Sequence, residues 1–455
     1  MLSRKNLIAD TGERFVLLTQ KDGLPEFWTT LFLTSVSRKK KSSTARKHAD
    51  TLIHLNLIEK LIFKETIPQI ILSLKNDCIR KKQILASKML LTVSEIASLI
   101  DYCGITTKEL RNLENSRNKE SVTVLELHTQ IKKHPKDRVQ VNEQKIRVKI
   151  ISEYLSFIAY QILKLDPNFA EYKKIIDNTV DYLADQISQY KVRRSIANPD
   201  AKSPPPLVFE QVMELVRPDS ESNPYTDLVR NRNFIILSIL YETGMRSGEL
   251  LQLKIEDIDL SENTIKIKRR HNDAQDIYRA IEPNAKTLER ELPISENLAN
   301  NIRNYILKER SVIPIAKKHP FLFVSHKGVN AGKPLSVMQL SNLVDKLNDN
   351  KHLKTYIKEN NIKLEKLIKG HGFRHNFNNK LSQKIDAHNK KAIQDGRKDE
   401  LITEAKEIKI RKTLNGHASD ESSEVYNLRH TTEQAEKIMK RQIDSATELL
   451  NLKDN

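Results

Sequence analysis

Six residues in the C-terminal half of this chain are of the types that phosphodiester chemistry needs. Arg246 lies in Thr243-Gly244-Met245-Arg246-Ser247-Gly248-Glu249-Leu250. Lys286 precedes Arg290-Glu291-Leu292-Pro293-Ile294, which reads as a strand. His371 and Arg374 share His371-Gly372-Phe373-Arg374-His375. His417 stands in Leu414-Asn415-Gly416-His417, and Tyr426 follows nine residues later. Guanidinium and ammonium groups suit the charge of a phosphodiester, and an activated phenol suits attack on it.

Each piece has a plain reading beside the chemical one. Gly244 supplies the left-handed turn that stops a helix, and Ser247 is placed to cap the next with Glu249 in its first turn. Arg246 is then held in a corner where its fork grips two phosphate oxygens, or it simply pairs with a carboxylate. His371 and Arg374, three apart on a helix, face the same way and suit proton transfer beside an anion. His375 reads as a packing residue. Lys286 looks like a hairpin tip; a lysine there is either a solvated surface residue or a flexible general acid. Tyr426 is one of 12 tyrosines. Its default is half-buried packing, and as a nucleophile of ordinary pKa about 10 it needs a base and cations nearby.

The elements that must position these residues read as mostly helical. Asn233 to Glu242 reads as a buried helix, Ile265 to Lys268 and Arg290 to Ile294 as strands, and Glu296 to Glu309 as a helix. Phe321 to Val324 reads as a short strand, with helices over Gln339 to Leu347 and Phe373 to Ile385. Three prolines, Pro204 to Pro206, mark a spacer, so 196–206 is the expected linker. Ahead of it, Ser42-Ser43-Thr44 are placed to cap a helix, and Thr92 with Glu95 forms a capping-box pattern. Val141 to Leu165 repeats at helical spacing, its aromatics reading as core. Residues 1–35, which hold Trp28, have no readable role beyond packing. Glu433 to Leu450 carries Ala435, Ile438, Met439 and Ile443 on one helical face that must dock on its own domain or on a neighbour.

Composition bounds the partners. The 455 residues exceed one ordinary core, which predicts two or three domains. A net charge of +18 and a pI near 9.5 point to a polyanion, nucleic acid first. Only 11 glycines argue against a large all-β architecture. Cys78 and Cys103 are too few for a disulfide framework or a zinc site, and read as reduced core residues of a cytosolic protein. The first residues carry no apolar signal segment, and the longest apolar stretch, Phe234 to Leu240, is too short for a membrane span.

Together the pieces resemble the tyrosine recombinase (phage integrase) family over roughly residues 207 to 440. TGMRSGELLQL resembles the family's first arginine box, HGFRHNF its HxxRH box, and LNGH with Tyr426 its last. The resemblance implies a mainly α fold with a small β-sheet in the C-terminal domain. It implies a helical core-binding DNA-binding domain at 36–195, a mixed α/β catalytic domain at 207–432 and a tail helix at 433–455. The two domains would close as a clamp on duplex DNA; the residues ahead of 36 do not read as a separate arm-type DNA-binding domain. It assigns Arg246, Lys286, His371, Arg374 and His417 to the active site and makes Tyr426 the nucleophile of a 3′-phosphotyrosyl intermediate. It also implies a homotetramer on two DNA sites, accessory DNA-bending factors, no metal, no cofactor, and a bacterial, nucleoid-associated cytoplasmic location. Two stretches are longer than the family's pattern, one around the charged segment 384–406 and one between Ile265 and Lys286. A type IB topoisomerase, a non-catalytic DNA-binding regulator and a metal-dependent nuclease are the rival readings.

Overall fold

A computed structural model describes residues 2–76, 82, 88–117, 137–191, 203–285 and 287–419, with 434, 435, 438 and 439. The chain forms two compact units: Met1–Ala9 with Glu13–Arg194, and Asp10–Gly12 with Ser195–Asn455. Lys286, Tyr426, Cys78 and most of the expected tail helix and linker lie outside the described residues. The architecture is mainly helical, with a small sheet in the second unit.

In the first unit, β1 (Ser3–Ile8) pairs antiparallel with β2 (Arg14–Thr19), a hairpin the sequence reading did not anticipate. β2 alternates buried and half-exposed residues, and Val16 and Leu18 enter the helical core. Leu2, Val16, Leu18, Phe32 and Leu33 of the first 35 residues thus enter this core, with Trp28 packed at its edge. The hairpin lies on α2 (Ser42–Ile58), which follows α1 (Phe27–Phe32). The expected cap of α2 shifts by one residue. Lys41 is the N-cap and makes no side-chain cap bond, because Ser42 to Thr44 already sit in the first turn.

Further helices are α3 (Ile67–Lys75), α4 (Val93–Cys103), α5 (Thr107–Arg117), α6 (Val141–Leu163) and α7 (Phe169–Ser188). At α4 the capping box is present: Glu95 N–H donates to Thr92 Oγ1 at 3.2 Å, and Thr92 N–H to Glu95 Oε2 at 2.8 Å. Of the aromatics of α6, Tyr154 is core as expected and meets Phe32 edge-on at 5.3 Å, Phe157 packs partly buried against that core, and Tyr160 is exposed.

The second unit gathers α8 (Pro206–Leu215), α9 (Asp227–Thr243), α10 (Ser247–Gln252), α11 (Glu296–Asn304), α12 (Val337–Asp349), α13 (Lys351–Glu359), α14 (Gly370–Gln394) and α15 (Glu404–Asn415). Its antiparallel sheet runs β3 (Ile258–Asp259), β4 (Thr264–Ile267), β5 (Arg290–Pro293). The middle of α9 is buried without a break from Ile235 to Leu240, and the helix packs on α14. Phe209 of α8 meets Phe373 of α14 at 5.0 Å. The Lys380 ammonium of α14 lies 4.3 Å over the Tyr241 ring of α9 and 3.2 Å from Glu210 of α8. These contacts aim the N-terminal turn of α14 toward the C-terminal end of α9.

Several local expectations change. Phe321 to Val324 is buried but makes only single bridges, Lys254 to Phe321 and Val324 to Pro334, with the Leu322 N–H on the Leu253 carbonyl at 2.8 Å and the Leu335 N–H on the Phe323 carbonyl at 2.9 Å. The link from β4 to β5 is not a tight hairpin. It runs from 268 to 289 and is stapled by Arg270 to Asp257 at 2.8 Å, Lys254 to Asp273 at 2.9 Å and Arg279 to Asp276 at 2.8 Å. Ser203, at the end of the proline-rich stretch, is buried and donates to the Gly372 carbonyl at 3.3 Å, so this end of the stretch is docked. The charged segment 384–406 forms the far half of α14, a turn at Gly396 and the start of α15, a helical hairpin as expected.

Candidate active site

The site begins where α9 stops. Gly244 takes φ 60, in the left-handed region, and the chain leaves extended through Arg246 (φ −76, ψ 149). Arg246 itself, not Ser247, is the N-cap of α10. The reason is Glu249, whose Oε2 accepts the Arg246 N–H at 2.9 Å and so starts the helix one residue earlier. The Arg246 side chain is 27% exposed. Its Nη1 is buried without a hydrogen-bond partner among the described residues, 3.8 Å from Glu249 Oε1. A fixed guanidinium with unused donor capacity suits an incoming anion.

Glu249 is fully buried, and burial alone would raise its carboxyl pKa. The bonds and charge of Arg290, with Thr287 and the Arg246 N–H, hold it below the usual carboxylate range instead. It is therefore an anion at neutral pH that joins three segments. Arg290 Nη2 reaches Glu249 Oε2 at 2.8 Å, and Thr287 Oγ1 donates to Glu249 Oε1. On the other side of Lys286, the Asn284 carbonyl presses on Gly248, where an added Cβ would fall 2.1 Å from it. The chain flanking Lys286 is thus anchored on α10.

Arg374 ties the remaining pieces together. It is completely buried. Nη1 donates to the Gly244 carbonyl at 3.0 Å, and Nη2 donates to the Asn415 carbonyl at 2.7 Å and to His417 Nε2 at 2.9 Å. A guanidinium has no acceptor, so Nε2 of His417 accepts and the neutral ring carries its proton on Nδ1. Burial, then Arg374, Arg246 and Arg290, push the His417 pKa down to about 4. His417 is neutral at pH 7. His371 is exposed, yet the protein packed around it and the charges of Arg374 and Arg246 lower its pKa as well. The His375 ring meets it edge-on at 4.9 Å.

Arg246, His371, Arg374 and His417 therefore share one electrostatic neighbourhood. Sequence reasoning missed its scaffold. Asn378 Nδ2 donates to the Arg374 carbonyl at 2.8 Å, and its Oδ1 accepts from Asn415 at 2.7 Å and Arg411 at 3.0 Å. Arg411 continues to Ser382 and Glu407. The signal was present: Arg374, Asn378 and Ser382 recur at i, i+4 and i+8 on one helix face, and Glu407, Arg411 and Asn415 answer on the other. Among the described residues no group of three or more His, Cys, Asp or Glu is placed to hold a metal.

Residues 207–395 match the model of the phage integrase family. Over 116 residues the chain is 30% identical to transposase A from transposon Tn554 of Staphylococcus aureus, covering 26% of this chain and 30% of that protein. Over 174 residues it is 25% identical to tyrosine recombinase XerD of Halalkalibacterium halodurans, covering 38% of this chain and 47% of that one. The chain thus spans less than half the length of these two relatives. Among solved structures, the Tn1549 transposon integrase in complex with circular intermediate DNA aligns at 16% identity with a TM-score of 0.41, over 83% of this chain and all of that one.

Proposed function

From a chain that belongs, through residues 207–395, to the phage integrase (tyrosine recombinase) family, we propose a site-specific DNA recombinase that moves a mobile element. One observation carries this reading most: Arg374 bonds at once to the turn before Arg246 and to His417, so boxes far apart in sequence form one cationic site.

In the proposed reaction Tyr426 Oη attacks a backbone phosphorus. The bond to the 5′ oxygen breaks and a 3′-phosphotyrosyl bond forms. His371, neutral because its pKa is lowered, takes the phenol proton. Lys286 gives a proton to the leaving 5′ oxygen. Arg246, the partly exposed cation, meets the non-bridging oxygens, and Arg374 adds charge from beneath while it fixes His417. His417 donates from Nδ1, since Nε2 is engaged. A 5′-hydroxyl from a partner strand then attacks the phosphotyrosyl bond, rejoins DNA and frees Tyr426. The bond energy is kept in the intermediate, so neither nucleotide hydrolysis nor metal is required.

The substrate of this reading is double-stranded DNA, paired as two sites within a homotetramer and assisted by DNA-bending factors in the cytoplasm. Among the described residues no helix is long and apolar enough to cross a membrane. The test is adduct trapping on genomic DNA. Wild type should form a covalent adduct whose sequence reveals the target, in the presence of EDTA, and Tyr426→Phe should bind that DNA without forming it. A wild-type level of adduct from Tyr426→Phe would falsify the assignment. Relaxation of a one-site plasmid without exchange between two sites would make the enzyme a topoisomerase.

A further inference from the structure

In the sequence Arg290 does no more than open a strand, and none of the quoted boxes needs it. In the fold it is a junction. Nε donates to the Leu414 carbonyl at 2.7 Å and Nη2 to Glu249 Oε2 at 2.8 Å. Nη1 reaches Thr287 Oγ1 at 3.1 Å and the Leu288 carbonyl at 3.3 Å. The Leu288 N–H closes the ring by donating to the Gly416 carbonyl at 2.9 Å. The side chain is 5% exposed, so water hardly competes for these bonds.

We infer that Arg290 is a positioning residue that holds the chain next to Lys286 and the turn before His417 in one fixed relation to Arg246. Thr287 is bonded directly to Lys286, and Gly416 directly to His417. Glu249, on the helix that Arg246 caps, is the third fixed point. Neutralising Glu249 alone would need only a cation. Reaching a carboxylate, a hydroxyl and two carbonyls on separate segments needs the rigid planar fork. The Arg290 charge also contributes to the lowered pKa of His417. Without the fork the Thr287 segment is held only through Glu249 on α10 and the Leu288 bond to Gly416, and a misplacement of about 1 Å is enough to cost on the order of 100-fold in rate.

The inference rests on the reading of Lys286 as general acid, and one pair of substrates separates the two claims. The first is the trapped target site with an ordinary phosphodiester. The second has sulfur in place of the 5′-bridging oxygen at the cleaved bond. A thiolate leaves without a proton, so this substrate needs no general acid. Lys286→Ala should be about 100-fold slower on the first and recover most of that loss on the second. Arg290→Gln and Arg290→Lys should show the same preferential recovery, although Lys286 is intact. Equal slowing of Arg290→Gln on both substrates, while Lys286→Ala recovers, overturns the inference and leaves the reading of Lys286 standing. Failure of Lys286→Ala to recover overturns the reading on which the inference rests. If Arg290→Gln does not fold, Thr287→Val carries the test. It removes the hydroxyl link beside Lys286 and keeps the guanidinium paired with Glu249. A recovery on sulfur supports the inference, and its absence overturns it.

Discussion

At the scale of single residues, donor and acceptor limits decide more than charge does. Arg246 keeps one buried nitrogen without a hydrogen-bond partner among the described residues, so its shape is its function. Arg246→Lys retains the charge and loses the fork. Single-turnover cleavage should slow by roughly 100-fold, near 3 kcal/mol, with unchanged DNA affinity. An unchanged rate would make Arg246 structural. His417 makes a prediction about pH. Its folded pKa of about 4 lies below the ordinary imidazole value of 6.5. Between these values the unfolded chain binds the extra proton. The contribution of His417 to stability is therefore complete above pH 6.5 and is lost as pH falls through 4. Denaturant titrations from pH 4 to 7 should show a shallower pH dependence for His417→Gln than for wild type.

At the scale of elements, α14 and α15 are joined through a buried polar ladder where an apolar seam would be the simpler solution. Asn378 stands at its centre, bonded to Arg374, Asn415 and Arg411. Asn378→Ala would take one bond from each of these buried partners, at a cost of about 1–3 kcal/mol for each polar atom left unsatisfied. Thermal unfolding should register this loss, and cleavage should fall because Arg374 and Asn415 both hold the His417 turn. Gly416 is the second sensitive point. It takes φ 62, and an added Cβ would fall 2.8 Å from both the Leu288 carbonyl and Arg290 Nη1. Gly416→Ala should destabilise by at least roughly 1–2 kcal/mol, the cost of a left-handed residue with a side chain. A melting temperature equal to wild type would show that the turn relaxes freely.

At the scale of the whole molecule, charge and the tail matter most. On the proposed reading, a surplus of +18 should make DNA affinity fall steeply with salt, as counterion release requires. Of the tail, Gln434 donates to Asp386 of α14 at 2.6 Å, while Ile438 and Met439 are 57% and 61% exposed. On the proposed reading a neighbouring protomer would cover these apolar side chains. Removing everything after Thr432 should spare binding to one site and impair the pairing of two, read as loss of the slow-migrating synapsed band in a gel shift. Normal pairing by the truncated chain would remove the tail from assembly.

Residue types and spacing alone were enough to pick out Arg246, His371, Arg374 and His417 as a group, and the fold brings these four into one neighbourhood. Local signals are strong where a helix must stop or start, as at Gly244 and Thr92, because turn and cap chemistry is confined to a few neighbouring residues. The helical face of Val141 to Leu163 was legible for the same reason, since a buried stripe repeats with the helix itself. What holds the site was not legible. Glu249, Arg290, Asn378 and Arg411 act mostly across 29 to 124 positions of separation or through backbone carbonyls, which carry no side-chain identity. The tautomer of His417, the cap at Arg246 and the docking of residues 268–289 follow from which partner arrives from elsewhere in the chain. Only the tertiary structure decides that, because a hydrogen bond is made by distance in space, and the sequence records only distance along the chain.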